Sequence, residues 1–335
     1  MTRNPVTVKA ITVAGDASFD WVVWDHFVES CPGGTFYHRH GWLEAVAIGL
    51  GHDIRLHVAR DTQGQLRAGA FVRRAAKLGF CAGRKPWGTG YNGIIAARQD
   101  GPAVAALRAE LLRTYQQVRL VQTPEPETAE AQAPWRVKSN MTPVLDLHEV
   151  HRLWDSFDRH ARQRVRKAAG LGVTANESTG FRDFANLYRL TYERQCLPMP
   201  LPPEAIEGVL RRAVASGDAR LFMAKTPLGE PAAGLLVGIL GRRAWFVLAA
   251  SHPMHRKSDA VSLLWWHAME QCAGPVTEID LVGHGVRRID QFKRSFSPRL
   301  VEHTEWEAFG KGPRAWALRA LDQRRTRIHE LETHT

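Results

Sequence analysis

The sequence predicts an α/β (α+β) protein of two tandem lobes, and three observations predict it. The chain has 335 residues, more than one ordinary hydrophobic core organises. Apolar runs of strand length alternate with amphipathic segments of helical period throughout. Both halves also run through the same order of helix, hairpin and helix, which points to an internal duplication with little residue-level self-similarity.

In the first half, Val6 to Val13 alternates like an edge strand, and Phe19 to Cys31 reads as a helix capped by Asp16 or Ser18. Thr35 to Val46 predicts an extended entry into a helix that runs through Gly49. Leu56–Arg60 and Gly69–Arg73 form a hairpin around Thr62–Gln65. Pro86 to Gly93 is a glycine-dense loop, followed by Ile94-Ile95 and a helix from Pro102 to Gln117. Pro124 to Pro134 has loop composition, and Met141 to Leu147 is a short extended crossover.

The second half opens with a basic helix, Leu153 to Ala169, and a strand at Val173–Ala175. A helix over Phe181–Gln195 carries Phe184, Leu187, Tyr188 and Tyr192 on one stripe. After the proline-rich Leu197–Pro203 comes a helix over Glu204–Ser216 and a strand at Ala219–Ala224. The apolar run Pro231–Leu240 turns at Gly241-Arg242-Arg243 into Ala244–Ala249. A polar loop, Ser251–Ser258, leads into an amphipathic segment over Asp259–Cys272. A third extended run, Thr277–Val282, is followed by Gly283, Gly285 and the pair Phe292-Lys293. A last helix is expected over Arg314–Leu331.

Composition excludes several classes. Hydrophobic content of 44% and charged content of 24% are those of a soluble globular protein. No apolar run is long enough for a transmembrane helix, and Met1 to Lys9 lacks a signal-peptide core, so a cytoplasmic protein is expected. Four scattered cysteines, Cys31, Cys81, Cys196 and Cys272, suit free thiols rather than a disulfide frame or a zinc site. The net charge of +11 reflects either an arginine-rich proteome or a polyanionic partner. Clustering favours the partner: Arg159, Arg162, Arg164, Arg166 and Lys167 lie together, and Arg242, Arg243, Arg256 and Lys257 flank the hairpin and its following loop.

Few residues carry chemistry. Lys293, where the sheet would splay, can stabilise a developing oxyanion; the competing reading is a solvated surface lysine. Asp280 is either a base for an amine or a cap of the following turn. Arg194 can clamp a phosphate, and the glycines of Pro86–Gly93 bring backbone N–H groups to an anion. His38 and His40 are spaced for a metal pair but lack a third ligand, so a structural role is favoured and no metal is expected. No GxSxG elbow or Cys/His pair supports a hydrolase triad. The segment His255-Arg-Lys-Ser-Asp-Ala260 stands where acyl-coenzyme A transferases place a glycine-containing pyrophosphate turn, and it lacks the glycines.

Five segments resemble the Fem (FemABX) family of aminoacyl-tRNA-dependent peptidyltransferases. They are Phe36-Tyr-His-Arg-His-Gly-Trp42, Pro86 to Ile94, the basic helix Arg162 to Ala168, Tyr188 to Arg194 with its proline-rich sequel, and Ala249 through Phe292-Lys293. The resemblance implies two tandem GNAT-like lobes, each a mixed, mostly antiparallel sheet flanked by helices. They would span 1–147 and 148–311, the second carrying the catalytic centre, with a helix at 312–335 packing back on the first. It implies transfer of an aminoacyl group from charged tRNA to an amine on a peptidoglycan precursor, or on a small antibiotic-type amine or peptide. Aminoacyl-tRNA serves as co-substrate, with no bound cofactor and no DNA partner.

The resemblance assigns Lys293 to the ester carbonyl and Phe292 to the pocket for the terminal adenosine. Asp280 joins them as candidate base. The substrate-binding candidates are Arg194, Tyr188, Tyr192, Trp87, Tyr91 and Asn92. The tRNA-binding candidates are Arg162, Arg166, Lys167, Arg256 and Lys257. The coiled-coil arm of some relatives is absent. Two alternatives stay open: an acyl-coenzyme A N-acyltransferase of the same fold, and a non-catalytic tRNA-binding module.

Overall fold

A computed structural model describes residues 6–77, 79–97, 100–124, 134–283, 285–313, 315, 316 and 319. Most of the expected last helix and most of the 124–134 loop lie outside these residues. The first half contributes strands β1 (Thr7–Thr12), β2 (Ile54–Arg60), β3 (Leu66–Lys77), β4 (Phe80–Arg84), β5 (Ile95–Ala96) and β6 (Gln117–Val121). Its helices are α1 (Trp21–Ser30), α2 (His40–Leu50) and α3 (Gly101–Thr114). Strand β7 (Arg136–Asp146) leads into α4 (Val150–Ser156), α5 (Arg159–Gly170), β8 (Thr174–Glu177), α6 (Phe181–Arg194) and α7 (Pro203–Ala215). The chain continues through β9 (Ala219–Lys225), β10 (Pro231–Leu240), β11 (Arg243–Ser251), α8 (Ala260–Cys272), β12 (Glu278–Asp280), α9 (Arg287–Arg294) and β13 (Arg299–Phe309).

All the described strands join one sheet in the order β1-β2-β3-β4-β6-β13-β7-β12-β11-β10-β9-β8, with β5 paired to β3. Pairing is antiparallel except for β4 with β6 and β11 with β12, one parallel pair in each half. The halves are joined by exchange. Strand β7 reaches across to pair with β12, and β13 returns between β6 and β7. Among the described residues no helix is long and apolar enough to cross a membrane.

Local sequence sets several boundaries differently from expectation. Helix α1 begins at Trp21 because the Asp20 carboxylate accepts from the Val23 N–H, whereas Asp16 turns onto Ser18. The basic helix breaks after Ser156, and α5 restarts where Asp158 accepts from the Ala161 N–H. Instead of an extended entry, Phe36–His38 forms a 3-10 turn. Strand β7 runs well upstream of the expected crossover.

One core spans the two halves. Phe36, Tyr37 and Trp42 from the first pack with Val209, Leu236, Trp245 and Leu248 from the second, all nearly solvent-free. A second core lies on the opposite side of the second-half sheet, between α5, α8 and β10 and including Phe296. The close approach depends on Gly238 in β10, where an added Cβ would sit 2.4 Å from the Phe36 ring. Gly238→Ala should therefore cost about 1–3 kcal/mol through overpacking. Urea denaturation measures it, and a loss below about 0.5 kcal/mol, the level of a neutral surface change, would contradict the packing argument.

Candidate active site

Strands β11 and β12 stay paired only from Arg243/Glu278 to Trp245/Asp280. Beyond that point β11 continues to Ser251 while the other chain turns away, so the sheet splays open. The turn is made by Val282 and Gly283, with φ of +45° and +81°. A valine in the left-handed region is costly unless its surroundings hold it. Here Lys293 of α9 holds it: its ammonium donates to the Val282 and Gly283 carbonyls, both at 2.6 Å. Asp290, one turn earlier, accepts from the Gly285 N–H at 2.9 Å.

Lys293 is thus no surface residue; it is 6% exposed. Burial pushes its pKa down to about 8, against the opposing pull of the Asp290 and Asp280 carboxylates. It lies directly behind the wall that Val282, Gly283 and Gly285 give to a cavity of about 560 Å³. Val247 and Met141 extend that wall, and Tyr91, Lys85, Lys138, Asn140, His303 and Glu305 line the rest.

Asp280 ends β12 fully buried. Its carboxylate accepts from the Tyr91 hydroxyl and the Thr142 hydroxyl at 2.5 Å each, and from the Val282 N–H at 2.8 Å. The expected turn cap is therefore present. Burial raises the Asp280 pKa, with those hydrogen bonds and Lys293 acting in the opposite direction. Asp280 also lines a second cavity of about 270 Å³ with Arg243, Trp245, Glu278 and Arg299. Tyr91 faces one cavity and Asp280 the other, so the pair bridges them.

Trp87, Tyr188 and Tyr192 form an aromatic contact between the halves. The Trp87 and Tyr188 rings meet edge-on at 5.9 Å, and the two tyrosine hydroxyls lie 3.3 Å apart. One residue departs from its expected role. Asn92 is wholly buried, and its amide donates to the Phe71 and Arg119 carbonyls and accepts from the Val121 N–H. It fixes the backbone of the first lobe and offers nothing to a ligand. Phe292 is half-buried; its ring packs against Trp265 and Phe296 and lies under the Arg164 guanidinium, anchoring α9, and it does not line either of the two cavities described above.

The expected tRNA-contacting cations divide. Arg162 bonds the Asp155 carbonyl, Arg166 lies over the Trp154 ring, and Lys167 pairs with Asp259 at 2.7 Å. Arg256 instead sits near Arg194 and Arg288, a neighbourhood that with burial lowers the Arg194 pKa. Thr191, which bonds the Ser251 carbonyl, brings the end of α6 beside the end of β11. Lys257 is exposed in the same loop as Arg256. None of these three arginines forms an ion pair among the described residues. Arg288, Asp290 and Thr142 were missed in sequence, because nothing in their local pattern separates them from ordinary surface residues.

His38 is buried, with its ring nitrogens at 2.8 Å from Thr35 Oγ1 and 3.2 Å from the Gly93 carbonyl, while His40 stacks on Trp21. Both serve the packing, as expected. No cluster of metal-ligating residues occurs among the described residues.

Residues 155–294 match a family model described as an acetyltransferase (GNAT) domain, a span ending just after Lys293. No curated protein matches the chain in sequence. Among solved structures, FemX aligns over 88% of this chain and 96% of its own, with a TM-score of 0.66 at 15% identity. A tandem GNAT protein from the clavulanic acid biosynthesis pathway aligns over 92% and 100%, with 0.54 at 11%. L-PGS from Bacillus licheniformis aligns over 90% and 94%, with 0.55 at 13%. The expected tandem GNAT-like fold is therefore observed, on an acyltransferase scaffold.

Proposed function

We propose that this acyltransferase moves an aminoacyl group from charged tRNA to an amine, forming an amide at the splay of the second lobe. The observation that carries the reading is the buried Lys293 cation behind the cavity wall. An aminoacyl ester is already activated, so its aminolysis needs orientation, oxyanion stabilisation and proton removal. Two N–H groups of Lys293 are on carbonyls, and this reading assigns the third to the ester oxygen. The amine nitrogen bonds to the ester carbon, and its proton passes through the Tyr91 hydroxyl to Asp280. The C–O bond then breaks, and the same proton returns from Asp280 through the Tyr91 hydroxyl to the leaving ribose oxygen.

Two features favour tRNA over coenzyme A as donor. Asp259 stands at the N-terminus of α8 with φ of +57°, placing a carboxylate where a pyrophosphate would need backbone N–H groups. Arg194, Arg256 and Arg288 instead gather three cations near one another, a set suited to phosphodiesters. The GNAT match over 155–294 supports the second reading, an acyl-coenzyme A N-acyltransferase.

The test is transfer of radiolabel from a pool of charged tRNAs to an amine acceptor. Alkali-stable labelled product should form, and RNase treatment of the donor should abolish it. Product that survives the RNase treatment would overturn the tRNA assignment.

A further inference from the structure

The two cavities stand in line on one face of the joining strands. Cross-strand register pairs Lys138 with Glu305, Asn140 with His303, Thr142 with Val301 and Val144 with Arg299. The alternation of each strand puts these four rows on the same face. The first two rows form the polar pole of the cavity at the splay, whereas Val301, Val144 and Arg299 line the second cavity. Between them Thr142 and Tyr91 both donate to Asp280. The Asp280 carboxylate is the partition between the two spaces.

That carboxylate has capacity to spare. Its Oδ1 accepts twice, from Thr142 and the Val282 N–H, while Oδ2 accepts only from Tyr91 among the described residues. The second cavity also has its own route to solvent. Glu278, two residues before Asp280 and on the same face of β12, is half-exposed beside Arg299. The cavity's volume of about 270 Å³ is several times the ~30 Å³ share of one liquid water, and Thr35, Thr123 and Glu278 supply polar partners. It is a space that water fills.

Aminolysis needs such a space. Near pH 7 an α-amine or a lysine-type amine is an ammonium, with pKa values of about 8 and about 10. Converting that ammonium to an amide releases two protons, and the leaving ribose oxygen takes back one. The other must leave before the C–N bond forms, while donor and acceptor fill the first cavity.

We infer that the second cavity is the proton exit of the reaction and that Glu278 is its outlet. The inference rests on the transferase reading. The ammonium gives one proton to the Tyr91 oxygen as the Tyr91 hydroxyl proton passes to Asp280 Oδ2. The resulting acid turns its O–H toward the second cavity and loses the proton through water and Glu278 to bulk solvent. The carboxylate is thereby restored before the neutral amine attacks. The next amine proton then travels to Asp280 and back to the ribose oxygen. Each turnover sends one proton to solvent and leaves Tyr91 and Asp280 as they began.

The experiment compares two acceptors with the full chain and labelled charged tRNA at pH 7, after subtraction of the uncatalysed rate. Ethanolamine enters as an ammonium; methoxyamine enters neutral and brings no extra proton. Val301→Phe fills the second cavity beside Thr142, and Glu278→Gln removes the outlet. Each should lower the ratio of kcat for ethanolamine to kcat for methoxyamine about tenfold, with either KM changed less than about threefold. Glu278 belongs to a half-exposed surface ion pair whose loss costs the fold little, so a Val301→Phe chain that fails to fold leaves the test standing. A merely structural defect would slow both acceptors alike. An unchanged ratio in Glu278→Gln and in folded Val301→Phe would overturn the inference and leave the transferase reading intact. Transfer to neither amine by the unaltered chain would instead overturn the transferase reading, and the inference with it.

Discussion

Replacing Lys293 with methionine should lower kcat for aminoacyl transfer about 100-fold, a loss of about 3 kcal/mol of oxyanion stabilisation, with KM changed less than about threefold. Methionine has similar length and removes the cation without leaving a large void. Two opposing terms keep the effect on folding small. The Val282 and Gly283 carbonyls lose their donor, but a desolvated ammonium is also removed. The pH profile separates chemistry from structure. With its pKa near 8, Lys293 is mostly charged at pH 7 and neutral at pH 9, so the wild-type rate should decline above pH 8. That declining limb should vanish in Lys293→Met. Unchanged kcat would remove Lys293 from the reaction and leave it only as the clamp on its loop.

Acidification should destabilise the fold well before carboxylates are exhausted. His38 and His57 are fully buried, and burial holds both near pKa 4 against an ordinary 6.5. Between those values the unfolded chain binds the extra protons, so the stability is fully present above pH 6.5 and is lost as pH falls toward 4. Each histidine contributes about 3 kcal/mol of this loss, and the two together approach the whole stability of a typical protein. Asp280, raised by burial, works the other way. Urea midpoints at pH 7, 6, 5 and 4 should fall steadily, and His57→Gln should flatten the fall by about half. A midpoint unchanged from pH 7 to pH 5 would contradict the burial of these rings.

The elements legible in sequence were those with a strong period or a breaker. The hairpin of β10 and β11, helix α6 with its tyrosine stripe and the glycine-dense loop near Trp87 all stand where their patterns place them. Strand β13 was not legible, since Arg299 to Phe309 alternates charged and apolar residues without contrast and gains its place only by pairing with β6 and β7. The same exchange hid the cavity's polar pole, because Lys138 and Glu305 meet only through that long-range register. Lys293 and Asp280 were legible through their setting at the end of an apolar run beside two glycines. The packing of Phe292 on Trp265 and Phe296 was not legible, because an aromatic beside a lysine reads the same whether it lines a pocket or anchors a helix. Asn92 was misplaced because an amide in a glycine loop serves a ligand or the backbone equally well.

The donor is the point on which the account turns. In a single-turnover experiment, the protein is mixed with an acceptor amine and with either charged tRNA or acetyl-coenzyme A, each labelled in its acyl group. The account predicts rapid appearance of labelled amide from the tRNA and none above background from the coenzyme A. Label transferred from acetyl-coenzyme A while the charged tRNA stays intact would contradict it.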